Sequence, residues 1–151
     1  HIGALHKNYA RSAYWKTYQD EIIDIYDQAG NKLIELTIPL ILFIRKTLGI
    51  DTKVVLESSL GKEFGTGSKR IAGICRHLGA DIYLSGIGAQ AYNDRSIYED
   101  YGLKLQYQHF LHPEYPQFWG SFTKNLSILD LLFHCGPDSL KIIREYNPKP
   151  S

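Results

Sequence analysis

The segment from His112 to Gln117 concentrates side chains that can do chemistry. It supplies an imidazole, a carboxylate, a phenol and an amide, from His112, Glu114, Tyr115 and Gln117. Two prolines stiffen the segment, and proline lowers the entropy lost when such groups are held in place. Histidine changes charge near neutral pH, which suits a general acid or base. We predict catalytic roles for His112, Tyr115 and Gln117. The alternative is a turn whose His and Gln side chains bond the backbone.

A second candidate site follows a short run of β-forming residues. The run ends at Ser85, in a Ser-Gly-x-Gly turn that contains Gly86 and Gly88. Ligands of open α/β sheets bind beyond the carboxyl ends of the strands, and glycine lets a ligand approach the backbone. We therefore predict that Ser85, Gly86, Gly88 and Tyr92 bind a ligand. The alternative is that the glycines serve only a sharp turn. The spacing does not match a nucleophile elbow.

A glycine-rich loop before Ser68 leads into a predicted helix that has Lys69 and Arg70 in its first turn. The free N–H groups and the dipole of a helix N-terminus favour a phosphate. We predict phosphate or nucleotide binding by Ser68, Lys69 and Arg70. The loop lacks the Walker A spacing. The alternative is a flexible loop before a capped helix, with solvated basic side chains.

Asp130 closes a Ser-x-x-Asp pattern that begins at Ser127, which is the spacing of a capping box. We predict that Asp130 caps the helix or orients a ligand, rather than acting as the catalyst. The 6 histidines form no HxH or HExxH pattern, so we predict no metal site, and the sequence identifies no cofactor. Cys75 and Cys135 lack a CxxC partner, which favours two reduced, buried thiols.

The predicted elements that position these residues alternate between strand and helix. The N-terminal part is helical, and Thr37 is the predicted cap of a helix that ends near Leu48. Three strands and two helices are predicted further on, over residues 53–57, 68–78, 82–85, 96–101 and 103–108. This order indicates parallel βαβ units. We therefore expect an α/β fold, with a Rossmann-like parallel sheet, flanking helices and an N-terminal helical segment.

The expected topology brings distant residues together. The loops after the three strands begin at Ser58, Ser85 and His109. In a parallel sheet the carboxyl ends of the strands share one edge, so we expect these loops to converge.

The composition argues against a nucleic-acid-binding protein and against a membrane-spanning one. The chain has 151 residues and a formal net charge of +1, so it lacks the basic field that favours nucleic acid as a partner. The most apolar run, Ile38 to Ile44, is too short to cross a bilayer. No signal peptide is visible. We expect a cytoplasmic protein that acts on a small molecule, with neither nucleic acid nor a membrane as a partner.

Three ordered motifs resemble the WbqC-like protein family. They are Tyr83-Leu84-Ser85-Gly86-x-Gly88-Ala89-x-x-Tyr92, His112-Pro113-x-Tyr115-Pro116-Gln117 and Leu126-Ser127-Ile128-Leu129-Asp130-Leu131-Leu132-Phe133. The family usually opens with Gln-Pro-x-Tyr-x-Pro-Trp-Leu-Gly-Tyr-Phe, which is absent here, and usually has Asn where this chain has His134. The chain also begins at His1, without Met. We expect one domain over residues 1–147, N-terminally incomplete and partnered by its missing part, and a tail over residues 148–151.

The resemblance implies a biological context. The family is bacterial and is often encoded among genes for O-antigen and other surface polysaccharides. We therefore expect an enzyme of surface-glycan or related biosynthesis that transfers an acyl or aminoacyl group to an activated, nucleotide-linked amino sugar. Two alternatives stay open: a nucleotide-dependent ligase or nucleotidyl transferase, and a non-catalytic partner that binds a nucleotide sugar or assembles other enzymes. Fold analogy does not choose among them.

Overall fold

The structure is a computed structural model that describes residues 1–147. The tail expected over residues 148–151 lies outside the described residues. The chain divides into two compact units. The first takes residues 1–52 and the chain from Leu111 onward, and the second is Lys53–Phe110.

The secondary structure of the described residues mixes helices with a small sheet. In chain order it comprises α1 (Ile2–Tyr9), α2 (Trp15–Gln28), α3 (Leu33–Thr47), α4 (Gly67–His77), β1 (Ile82–Gly86), α5 (Arg95–Asp100), β2 (Lys104–Gln108), α6 (Ile128–Cys135) and α7 (Ser139–Tyr146). Short 3-10 turns lie at Glu57–Ser59, Ile87–Ala89 and Gly136–Asp138. The predicted N-terminal helical segment and the combination of helices with a parallel sheet are confirmed, and the sheet of the described residues has two strands.

The first unit is a helical assembly around an aromatic and aliphatic core. Its buried members are Trp15, Ile22, Phe43, Leu48, Leu132 and Phe133. The ring of Phe133 on α6 lies 5.0 Å from that of Trp15 on α2, centroid to centroid. Full burial of one such side chain contributes roughly 1.5–3 kcal/mol, so α6 is firmly anchored. This matters because α6 also carries Asp130.

The start of α3 differs from the prediction. The helix begins at Leu33, and the Glu35 carboxylate accepts a hydrogen bond from the Lys32 N–H at 3.2 Å. Thr37 therefore lies inside the helix and does not cap it. Pro39 also lies inside the helix, where it removes one backbone donor. Burial of the apolar side chains of this helix, including Phe43, favours the longer helix over one that starts at Thr37.

The second unit contains a parallel βαβ arrangement. Strands β1 and β2 pair in parallel, with Ile82 opposite Lys104 and Gly86 opposite Gln108. The core beside them contains Ala72, Tyr98, Leu103 and Leu105. The carboxyl ends of both strands therefore share one edge of the sheet, as predicted.

The predicted strand over residues 53–57 is wrong. Residues 53–56 have no regular structure, and Glu57 opens a 3-10 turn. A strand is stable when its backbone groups pair with a neighbour, and within residues 1–147 this segment has no strand partner. The side chains of Val54 and Leu56 are 40% exposed. The loop at Ser58 thus follows no strand, and the expected convergence of three strand-end loops does not extend to it.

Candidate functional site

The first unit holds a cleft of about 290 Å³. Its lining comes from the end of α1, the loop before α6 and α6 itself, as Asn8, Tyr9, Gln117, Phe118, Trp119, Thr123, Leu126, Asp130 and His134. The volume is close to the lower end of the range of about 300–1,000 Å³ that is usual for small-molecule sites.

Asp130 is the centre of the polar wall of this cleft. Its Oδ2 accepts hydrogen bonds from the Tyr115 hydroxyl at 2.8 Å and from Gln117 Nε2 at 3.0 Å. The residue is only 3% exposed. The hydroxyl of Ser127 accepts from the Leu129 N–H at 3.3 Å and caps α6 by itself. The predicted capping role of Asp130 is therefore wrong, and its carboxylate bonds to the preceding loop instead.

The two tyrosines beside Asp130 are held in their protonated form. Burial, a hydrogen bond to Asp130 and the charge of that carboxylate raise the pKa of Tyr9 to about 12. Burial, followed by the hydrogen bond to Asp130, raises the pKa of Tyr115 well above its usual range. A neighbouring negative charge disfavours a tyrosinate. Both residues therefore act as neutral hydroxyl donors at physiological pH.

His134 has a defined tautomer. Its Nε2 accepts a hydrogen bond from the Phe118 N–H at 2.9 Å, so this nitrogen carries no proton. Its Nδ1 lies 2.7 Å from the backbone oxygen of Asp130 and donates to it. The imidazole is thus a neutral clamp between α6 and the preceding loop, rather than a free base.

The loop between Gln117 and Thr123 is held by a side-chain amide. Gln117 Nε2 donates to the Thr123 carbonyl at 2.9 Å, and Gln117 Oε1 accepts from the Thr123 N–H at 2.7 Å. Trp119 Nε1 donates to the Asn8 carbonyl at 3.0 Å. These contacts fix an aromatic wall beside the carboxylate.

His112 adjoins the cluster through ring packing. Its Nδ1 lies 3.0 Å from the Pro113 carbonyl oxygen. Its ring lies 6.2 Å from that of Tyr115 and 6.0 Å from that of Phe122. The structure therefore brings the three predicted catalytic residues, His112, Tyr115 and Gln117, into one cluster with Asp130.

The predicted ligand-binding residues of the strand end lie in the second unit. Ser85 is 2% exposed, and its hydroxyl accepts from Asn93 Nδ2 at 3.1 Å. Asn93 in turn accepts from the Tyr98 hydroxyl at 3.0 Å. Ser85 thus belongs to a buried network that holds the turn. Tyr92, in contrast, is 80% exposed.

Gly86 and Gly88 border open space. A Cβ added to either glycine would have no other atom within 4 Å. Gly86 has a φ of −66°, which any residue adopts, so this position does not require glycine for its backbone conformation. Space, rather than backbone conformation, is what glycine provides here.

The glycine-rich loop frames a cleft of about 700 Å³ in the second unit. Its lining is Glu57, Ser58, Gly61, Lys62, Glu63, Phe64, Gly65, Thr66 and Arg70. Arg70 pairs with Glu57 through both ends of the carboxylate, with Arg70 Nε at 2.6 Å from Glu57 Oε1. The charge of Arg70 is therefore already compensated. Lys69 is exposed, and the Ser68 hydroxyl accepts from the Asp94 N–H at 3.1 Å.

The two thiols of the chain are not activated for chemistry. Cys75 and Cys135 are free and half-buried rather than fully buried. Burial raises the pKa of both thiols, so they are protonated at neutral pH. Within residues 1–147 no group of three His, Cys, Asp or Glu side chains is placed to hold a metal ion. No helix in this part of the chain has the length and apolar character needed to cross a membrane.

Sequence reasoning missed part of the cleft. Asn8, Tyr9 and Trp119 were not named, because nothing in their local sequence links α1 to the loop before α6. His134 offered one signal, since it lies four residues after Asp130 on the same helix, where side chains share a face.

Comparisons with known proteins place the chain in a family. Residues 1–142 match the model of the WbqC-like protein family, so the chain belongs to that family, as its motifs indicated. It is 32% identical over 151 residues to an uncharacterized protein of Mycobacterium tuberculosis. The match covers 96% of this chain and 64% of that relative, so the chain spans less than two thirds of the relative's length. No solved structure matches.

Proposed function

We propose that this chain belongs to a cytoplasmic bacterial enzyme of surface-glycan (O-antigen-type) or related biosynthesis. The enzyme transfers an acyl or aminoacyl group to the amino group of an activated amino sugar. The observation that supports this proposal is the buried Tyr115–Asp130–Gln117 arrangement in the wall of a cleft large enough for one sugar unit.

The chemistry of such a transfer matches the groups in the cleft. The neutral amine of the acceptor attacks the carbonyl carbon of a thioester donor, the carbon–sulfur bond breaks, the thiolate leaves and takes up a proton, and the nitrogen gives up its own proton to a base. In this proposal His112 is the acid–base group, and the buried carboxylate of Asp130 orients the acceptor. Gln117 contacts the substrate, and Tyr115 positions the carboxylate.

We propose separately that the second unit contains a nucleotide-binding turn. Gly86 and Gly88 have open space at their α-carbons, which allows a ligand to approach the backbone. Ser85 holds this turn from within the core, and Tyr92 offers an exposed ring. We propose that the parallel β1–β2 pair is part of a Rossmann-like sheet, which is consistent with the helical crossover between the two strands.

A nucleotide-dependent ligase or nucleotidyl transferase is the second candidate. The cleft of about 700 Å³ at the start of α4 favours it, since a helix N-terminus attracts phosphate. Ser68, Lys69 and Arg70 are the proposed phosphate ligands. Arg70 would have to exchange Glu57 for the phosphate, because the two side chains are paired in this structure.

Activity and ligand binding distinguish these candidates. We expect full-length protein, supplied with nucleotide-linked amino sugars and thioester acyl donors, to form an N-acylated sugar detectable by mass spectrometry. Gln117→Ala and His112→Ala should each lower kcat about 100-fold or more, whereas the cap variant Ser127→Ala should keep its activity. A thermal shift with ATP but not with nucleotide sugars would favour the ligase. Binding of nucleotide sugars without turnover of any donor would indicate a non-catalytic partner.

A further inference from the structure

The carboxylate of Asp130 is a buried charge with neutral neighbours. Its Oδ2 accepts from a tyrosine hydroxyl and an amide. His134 Nδ1 lies 3.7 Å from Asp130 Oδ1, and within residues 1–147 this is the ion-pair contact that Asp130 makes. That imidazole is neutral, because its Nε2 accepts from the Phe118 N–H. No cation in the described chain therefore balances the carboxylate.

A buried carboxylate is costly unless a positive charge or several donors compensate it. Tyr115 and Gln117 donate to Oδ2, and Tyr9 also donates to the carboxylate, so neutral donors fix the orientation of the group without balancing its charge. Asp130 also forms part of the wall of the cleft, so a cation bound there would lie beside the carboxylate.

The rest of the cleft suits a small organic cation rather than a bare metal ion. Phe118 and Trp119 form an aromatic wall, with their ring centroids 4.8 Å apart. The Trp119 side chain is 58% exposed, and the Arg11 guanidinium lies 4.7 Å from the Phe118 ring, so this wall already carries one cation–π contact. Aromatic faces attract organic cations and pack against carbon-bound hydrogens.

We propose that this cleft is a binding site for a primary ammonium group carried on a sugar, with Asp130 as its counter-ion and Trp119 packed against the ring. The charge of the ammonium is the recognition element, so the site distinguishes a free amino sugar from its neutral N-acylated counterpart. The inference deepens the proposed function, since it rests on that proposal for the identity of the ligand as the acceptor.

The test compares three probes on the full chain. Glucosamine, N-acetylglucosamine and glucose share one ring, but only the first carries an ammonium. We expect glucosamine to bind with a Kd about tenfold or more below those of the other two at about pH 7, by isothermal titration calorimetry. Added salt should weaken glucosamine binding selectively. Equal binding of the three sugars, or no detectable binding of glucosamine, would overturn the proposal.

Substitutions test whether the preference for glucosamine depends on Asp130 and Trp119. Asp130→Asn keeps the shape of the side chain and removes its charge, so it should abolish the preference for glucosamine. Glu114→Gln removes an exposed carboxylate from the neighbouring loop and should leave the preference unchanged. If Asp130→Asn does not fold, Trp119→Ala serves instead: it alters an exposed side chain and should weaken glucosamine binding about tenfold. An Asp130→Asn or Trp119→Ala protein that binds glucosamine as the parent does would refute the site.

Binding and turnover are separate readouts. Selective glucosamine binding without acyl transfer would remove the proposed function and leave the ammonium site in place. Acyl transfer to amino sugars, with binding that does not depend on Asp130, would support the proposed function and refute the ammonium site.

Discussion

Tyr115→Phe removes a single hydroxyl from the wall around Asp130. The phenylalanine ring occupies the same volume, so the packing against Phe122 and His112 is preserved, with ring centroids at 5.4 and 6.2 Å. The change deletes the 2.8 Å hydrogen bond to Asp130 Oδ2 and leaves the Gln117 bond at 3.0 Å. The perturbation therefore isolates one hydrogen bond to a buried charge.

The expected cost follows from the burial of both partners. Tyr115 is 7% exposed and Asp130 is 3% exposed, so water cannot replace the lost donor. A hydrogen bond to a charged group contributes about 1.5–3 kcal/mol. Because Gln117 still satisfies Oδ2 in part, we expect the lower half of this range, about 1.5–2 kcal/mol. For a chain of this size that corresponds to a fall in Tm of about 3–8 °C.

A double-mutant cycle measures whether the contact itself is responsible. Urea unfolding of the parent, Tyr115→Phe, Asp130→Asn and the double variant gives the coupling free energy between the two side chains. We expect a coupling of about 1–2 kcal/mol, since the hydroxyl loses its charged acceptor in the Asn background. A Tyr115→Phe cost below about 0.5 kcal/mol, or strictly additive effects, would refute the assignment of Tyr115 as the residue that holds the carboxylate.

Three further changes test other parts of the structure. Ser127→Ala should cost about 1 kcal/mol in urea unfolding, because it removes the acceptor of the Leu129 N–H; an unchanged midpoint would contradict the cap. Gly86→Ala should raise stability by about 0.4–1 kcal/mol, whereas Gly65→Ala, at a φ of +79°, should lower it by about 1–2 kcal/mol; effects of equal sign would contradict the backbone assignment. Tyr9 should ionise near pH 12 rather than 10.0, so its contribution to stability is complete below pH 10 and is lost as the pH rises through 12. A Tyr9→Phe variant whose absorbance titration loses no amplitude near pH 12 would contradict this.

Residues that cap or end a helix explain why α4 and α6 can be predicted from the sequence. Helix α4 was expected over residues 68–78 and runs over Gly67–His77, with Gly79 at positive φ just beyond its end. Helix α6 begins after Ser127, whose side chain makes the predicted cap. In both cases a single residue ends or caps the helix: a glycine at positive φ after α4 and a serine side chain before α6. Such signals act within one helical turn, so they can be read from the local sequence.

The run from Lys53 to Glu57 shows where such reasoning fails. Val54, Val55 and Leu56 favour a strand, but β-propensity reflects packing on a pleated, half-buried surface rather than a property of the backbone alone. Arg70 draws Glu57 into an ion pair that suits a turn. Arg70 lies 13 residues away, and no local pattern reveals it.

Asp130 shows the same limit at the candidate site. A carboxylate three residues after an N-cap serine either turns back to the cap's N–H or points outward, and the Ser-x-x-Asp pattern does not distinguish the two orientations. The choice depends on donors that lie elsewhere in the chain. Tyr115 and Gln117 present two such donors from the preceding loop, and both bond to Oδ2. Since two hydrogen bonds to a buried charge outweigh one exposed capping bond, the carboxylate bonds to the preceding loop rather than to the cap.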